Sequence, residues 1–188
     1  MQPTPDQLAN WTERLADEDD RPSFNALFGA FYERLVRFAL HYAPPKENAE
    51  EVVQDVFVTL WERRRTLREV QNLRAYLFAM TRNGCFQHLR RARPDLRSLD
   101  DLDGHETPSP APDPEGLLLA HETEQAVERA IGQLPPRCRM IFQLVREQGL
   151  SYREAAEVLG LSPRTIEAQM GIALRKLVEA LQPAAPGR

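Results

Sequence analysis

The chain has 188 residues, with 24 Lys and Arg against 28 Asp and Glu, and a formal net charge of −4. That length suits one or two small domains, and 42% apolar residues allow more than one buried core. No apolar run approaches the ~20 residues a membrane span needs, so insertion into a bilayer is not expected. Long stretches of 3.6-residue period and no alternating strands with hairpin turns predict an all-α fold.

In chain order, "PDQLANWTERLADEDD" predicts a first amphipathic helix with Leu8, Trp11 and Leu15 on one stripe. Ser23 is placed to cap a second helix, "FNALFGAFYERLVRFALHYA". Phe24, Leu27, Phe28, Phe31, Leu35 and Phe38 recur at three- and four-residue steps there and are expected in a core. "APP" breaks the chain. A third helix follows through "AEEVVQDVFVTLWERRR", with Val52, Val53, Val56, Phe57, Leu60 and Trp61 inward. Its opposite face carries Glu51, Gln54, Asp55 and Val58, which is either a solvated face or a docking surface. A break near "TLREVQN" precedes a long helix from about Leu73 to Arg93. Arginines interleave there with Tyr76, Phe78 and Phe86, a pattern that suits single-stranded nucleic acid or, for the rings, ordinary core packing. Gly84 costs ~1 kcal/mol against Ala in a helix, and a close approach of a backbone or a base would explain it.

"RPDLRSLDDLDGHETPSPAPDPEG" has five prolines, two glycines and no helical period. It reads as a flexible acidic linker, about 94–116, between an N-terminal domain of about 6–93 and a C-terminal domain of about 117–182. Residues 183–188 read as a frayed tail. In the C-terminal domain "ETEQAVERAIGQL" is a helix stopped by Pro135 and Pro136. "PRCRMIFQLVREQGL" is a second, with Met140, Ile141, Leu144 and Val145 inward and Gly149 as terminator. Ser151 and Glu154 form a capping box for a third helix, in which Ala155, Val158 and Leu159 pack inward. "GLS" turns the corner, Ser162 caps a fourth helix and Pro163 suits its first turn. Ile166, Met170, Ala173, Leu174 and Leu177 are its expected core side. This spacing predicts a helix-turn-helix rather than a generic helical hairpin. Arg164, Thr165, Ala168, Gln169, Ile172, Arg175 and Lys176 are left for a DNA groove or solvent. Gln169 could pair with an adenine edge, Ala168 and Ile172 could meet thymine methyls, and the basic residues would hold phosphates.

Charge is segregated along the chain. Residues 1–62 carry net −7, 63–93 net +8, 94–124 net −8 and 125–188 net +3. A basic face, not the total, governs attraction to phosphates. The acidic linker could shield the +8 segment in the free chain. Cys85 and Cys138 form neither a CxxC nor a metal spacing and read as reduced thiols. His41, His88, His105 and His121 are scattered, so no catalytic or metal constellation, and no cofactor, is expected. The opening "MQPTPDQLANW" lacks the basic and apolar regions of a signal peptide, which leads to a cytoplasmic expectation.

The two halves together resemble a bacterial sigma factor of the extracytoplasmic-function group of the sigma-70 family. "FNALFGAFYERLVRFA", "AEEVVQDVFVTLWERR" and "LRAYLFAMTRNGCFQHLRR" are similar to its region 2 helical bundle. "LPPRCRMIFQLVREQGLSYREAAEVLGLSPRTIEAQMGIALRKL" is similar to its region 4 helix-turn-helix, and the "TIEAQ…ALRKL" ending is similar to iron-citrate-type members. The resemblance implies a non-enzymatic transcription initiation factor whose partners are RNA polymerase core, through the β′ clamp and β flap, promoter DNA, and an anti-sigma factor. It implies that Glu51, Gln54, Asp55 and Val58 dock on the clamp. It implies that a −10 base enters a pocket with Asn83 at its edge and Leu67 and Met80 as apolar walls, while Arg74, Arg82, Arg90 and Arg91 hold phosphates. Region 4 reads the −35 duplex, at positions that fall here on Ala168, Gly171 and Ile172. Many members carry polar, basic or aromatic groups there, so the −35 preference does not carry over. The competing reading is a stand-alone helix-turn-helix regulator. Such a regulator typically dimerises, and no dimerisation helix follows the motif.

Overall fold

The structure, a computed structural model, describes residues 3–92 and 126–181. The acidic linker, the start of the first C-terminal helix and the tail lie outside the described residues. Among the described residues every regular element is helical, and the chain divides into two compact units.

The first unit is built from α1 (Pro5–Glu18), α2 (Arg21–Leu40), α3 (Lys46–Glu62), a 3-10 turn (Arg64–Glu69) and α4 (Leu73–Ala92). Thr4 and Gln7 close a capping box on α1, at 3.2 and 2.9 Å, a signal the sequence reading passed over. α2 starts earlier than expected. Its cap is Asp20, not Ser23: the Asp20 carboxylate accepts from the Ser23 N–H at 2.9 Å and from its hydroxyl at 2.5 Å. A carboxylate three residues upstream outcompetes the serine, because it also complements the helix dipole. α1 and α2 are therefore joined through Asp19 and Asp20 alone.

α2, α3 and α4 pack on one another around Leu27, Phe31, Leu35, Phe38, Val53, Leu60, Leu77 and Phe78. Each such side chain contributes about 1.5–3 kcal/mol by leaving water. Phe78 meets Phe38 edge-on at 5.5 Å. Thr81 is fully buried in this core and donates its hydroxyl to the Leu77 carbonyl at 2.9 Å. Phe28 departs from its expected core place. It is 38% exposed, stacking on Tyr32 at 4.7 Å with its ring 4.8 Å from that of Phe57 on α3, so it covers the edge of the core rather than its centre. Trp61 and Phe24 are half-buried and meet edge-on at 5.3 Å. Gly84 lies where α4 crosses α3: a Cβ there would stand 2.8 Å from Val52 Cγ1. The close approach serves the packing of α4 on α3.

The C-terminal elements are α5 (126–132), α6 (Pro136–Phe142), α7 (Tyr152–Leu159) and α8 (Pro163–Leu181). Ala130, Leu134, Cys138, Ala173 and Leu177 form a shared core. α6 continues as a π-helical stretch, Gln143–Glu147, which the 3.6-residue pattern did not foretell. It closes at Gly149, whose φ of 66° lets the Leu150 N–H reach the Leu144 carbonyl at 2.9 Å. Arg139 is buried and donates to the carbonyls of Gly132 and Leu134, so this cation holds the end of α5 and is not surface charge.

Candidate nucleic-acid interface

On α3 the residues between the core positions face solvent. Glu51, Gln54 and Asp55 are exposed and Val58 is 56% exposed, a large value for an apolar side chain. Their spacing of three and four residues makes one continuous face.

α4 lies beside this helix, and a cavity of about 380 Å³ opens between them. Glu51 and Asp55 line it from α3, and Tyr76, Met80, Asn83, Gln87, His88 and Arg91 from α4. Two sets of residues expected at separate tasks thus share one groove. Met80 is half-buried and Asn83 exposed, an apolar wall beside a polar edge. Leu67 does not line the groove as expected of it. It is fully buried under the 3-10 turn, where it anchors the turn to the core. Arg82 also differs from expectation. Its Nε and Nη2 donate to Asn83 Oδ1 at 3.2 and 2.7 Å. The Asn83 amide then presents its Nδ2 as a donor. Arg74 is half-buried at the start of α4, and Arg90 and Arg91 are exposed near its end. Of the aromatics, Phe78 belongs to the core, Tyr76 lines the groove and Phe86 is half-buried.

The basic turn before α4 has partners that sequence reading missed. Arg64 pairs with Asp19, Arg68 with Asp17, and Arg65 reaches Asp19 at 4.0 Å. Arg64 also donates to the Trp61 carbonyl at 2.8 Å and lies 4.6 Å from the Trp61 ring centre. Asp19 sits in the left-handed region, φ 53°, at the end of α1. Its hydrogen bond from Arg64 holds its carboxyl below the ordinary aspartate range. The remaining acids of "DEDD" are engaged too. Glu18 pairs with Arg14 at 3.8 Å, and Asp20 accepts from Arg14 at 3.1 Å while capping α2. The Ser23 hydroxyl is the main reason the Asp20 carboxyl is also held low.

In the second unit the expected caps are present. The Ser151 N–H donates to Glu154 Oε2 at 2.7 Å, and the Glu154 N–H to Ser151 Oγ at 3.2 Å. Ser162 Oγ accepts from the Thr165 N–H at 3.0 Å and lies 2.8 Å from its hydroxyl, so Thr165 serves the cap. Gly160, φ 66°, makes the corner. Along α8 Arg164, Glu167, Ala168, Gly171, Arg175, Lys176 and Val178 are among the exposed residues, together with Leu174, which was expected inside and is 39% exposed. Two groove candidates turn partly inward. Ile172 packs on the core, and the Gln169 amide oxygen accepts from the buried Cys138 thiol at 2.8 Å. That bond competes with a two-point contact to adenine. Among the described residues no cluster of His, Cys, Asp and Glu could hold a metal ion, and no helix is long and apolar enough to cross a membrane.

Residues 27–94 match the family model "Sigma-70 region 2" and residues 124–177 match "Sigma-70, region 4". The chain is 26% identical to the RNA polymerase sigma factor NccH of Alcaligenes xylosoxydans xylosoxydans, over 90% of this chain and 92% of that one. It is 29% identical to the RNA polymerase sigma factor CnrH of Cupriavidus metallidurans, over 86% and 88%. It is 25% identical to the ECF RNA polymerase sigma-E factor of Escherichia coli K12, over 87% and 89%. Among solved structures it resembles the sigma factor RpoE in complex with the anti-sigma factor NepR from Bartonella quintana, with TM-score 0.66, 26% identity, and 86% and 98% of the two chains covered. CnrH in complex with the cytosolic domain of CnrY shares the fold, with TM-score 0.65, 24% identity, and 95% and 97% covered.

Proposed function

The chain belongs to the sigma-70 family of RNA polymerase sigma factors, with the paired regions 2 and 4 of the extracytoplasmic-function group, and on that premise we propose how its residues divide the work of promoter recognition. The working domains are 6–93 and 117–182, joined by 94–116. Glu51, Gln54, Asp55 and Val58 dock on the β′ clamp of core polymerase. The exposed Val58 supplies the apolar centre that a polar rim alone would lack. The groove between α3 and α4 takes an unstacked −10 base, with Asn83 donating to its edge and Met80 beside its face. Arg82 positions Asn83, and Leu67 supports the turn from beneath. Arg74, Arg90 and Arg91 hold the strand's phosphates.

Region 4 sits on the β flap and lays α8 on the −35 duplex. Arg164, Arg175 and Lys176 hold phosphates and Ala168 meets base methyls, while Thr165, Gln169 and Ile172 fix the helix they sit on. The factor performs no covalent chemistry of its own and works where polymerase does, in the cytoplasm. An anti-sigma factor is the expected regulator, by analogy with the NepR and CnrY complexes of its structural neighbours.

The observation that carries this reading is the groove that sets Met80 and Asn83 beside the exposed α3 face. It is tested with holoenzyme reconstituted on core polymerase and a promoter selected from random DNA. Asn83→Ala and Met80→Ala are expected to leave co-elution with core intact and to lower strand opening, read by permanganate reactivity of unpaired thymines, by tenfold or more. Normal opening in both variants contradicts the assignment. A stand-alone regulator leaves the region 2 match unexplained.

A further inference from the structure

The 3-10 turn, Arg64–Glu69, leads directly into the helix that reads the −10 strand in the proposal above, and this inference rests on that reading. A turn carrying Arg64, Arg65 and Arg68 would be expected to add strong, sequence-independent attraction to phosphates. All three face carboxylates instead, and both carboxylates come from the end of α1. α1 precedes residues 27–94, the segment that matches the region 2 model. The local backbone is built around the pairing. Asp19 occupies a left-handed position that glycine adopts more cheaply, and from there its carboxylate reaches Arg64. Arg65 and Arg68 remain 79% and 64% exposed, so their pairs lie on the surface within reach of nucleic acid.

We propose that Asp17 and Asp19 are selectivity residues: they hold the arginines of this turn off DNA phosphates, so that the turn serves base reading without adding sequence-independent affinity. Surface ion pairs of this kind are weak. They do not need to hold the fold, which the buried Leu67 does. They need only return a local charge near zero to a segment facing a polyanion. Each arginine freed toward single-stranded DNA steepens the slope of log affinity against log salt by about 0.7.

The test uses the full chain and fluorescein-labelled oligothymidylate, titrated across a salt series. Asp17→Asn/Asp19→Asn is compared with wild type, because asparagine tolerates the left-handed position and removes only charge. The expected result is tighter binding at low salt and a slope steeper by about 1–2. Adding Arg64→Gln/Arg65→Gln/Arg68→Gln to that variant should restore the wild-type slope. Asp17→Asn alone, at an ordinary helical position, should give a smaller steepening and serves if the double variant melts early. If the aspartate variants bind as wild type while Arg64→Gln/Arg68→Gln weakens binding, the proposal is overturned and the −10 reading of the turn stands. If neither pair of changes alters binding, the turn does not meet nucleic acid and the proposal falls, while the groove at Met80 and Asn83 stands or falls by the strand-opening test.

Discussion

Single side chains set the local chemistry of the N-terminal unit. Asp19 and Asp20 have carboxyls held low, the first by Arg64 and the second by Ser23. A depressed carboxyl favours the folded state only while ionised, so its contribution is present at neutral pH and fades as pH falls below about 4. The urea midpoint should therefore drop on acidification through that range, and Asp20→Asn should flatten the drop. A wild-type midpoint unchanged between about pH 6 and 3 would contradict this. Cys85 illustrates the opposite sign. Burial pushes its thiol up to about 12, so it stays protonated at neutral pH. Iodoacetamide at neutral pH is expected to leave Cys85 unmodified in native protein and to label it after denaturation. Gly84 is a packing residue. Gly84→Ala gains about 1 kcal/mol of helix propensity but forces its Cβ against Val52, a branched side chain with little room to move. Overpacking of this kind costs about 1–3 kcal/mol, so a net loss is expected in thermal melts. Combined with Val52→Ala, the two costs should fall short of additive.

At the scale of elements, caps and stripes decide where helices run. The Ser151–Glu154 box and the Ser162 cap were legible because they depend on residues three apart in sequence. Ser151→Ala should destabilise the second unit by about 1 kcal/mol. An unchanged unfolding midpoint would show the box idle. The cores of α2 and α3 were legible for the same reason of period, and the helix-turn-helix with them. What escaped the sequence depends on three-dimensional competition. Asp20 displaced Ser23 as cap because a carboxylate is the better acceptor at a helix start. Phe28 and Leu174 have core-like spacing, but each lies at the edge of its core and is more than a third exposed. Leu67 looked like a wall of the base pocket and is instead a core anchor. Gln169 and Ile172 read as groove residues until Cys138 and the α5–α8 core claimed part of each. Ion pairs such as Arg68–Asp17 join residues 51 apart, a separation at which no local pattern operates.

For the whole molecule, the apparent conflict between net charge −4 and DNA binding resolves by location. Some of the basic segment's charge is answered inside its own unit by Asp17 and Asp19, and one C-terminal arginine is buried in the fold. Weak intrinsic affinity suits a protein whose two DNA-reading units act when linked on one large enzyme, where each raises the effective concentration of the other. Free factor should then bind duplex promoter DNA only weakly at physiological salt, and holoenzyme should bind it specifically. The most direct test of this account is size exclusion of the chain with bacterial core RNA polymerase, beside a Gln54→Ala/Asp55→Ala variant. The account predicts that the wild type co-elutes with core and the variant does not. Failure of both to co-elute, with the chain alone shifting specific duplex DNA, would contradict it.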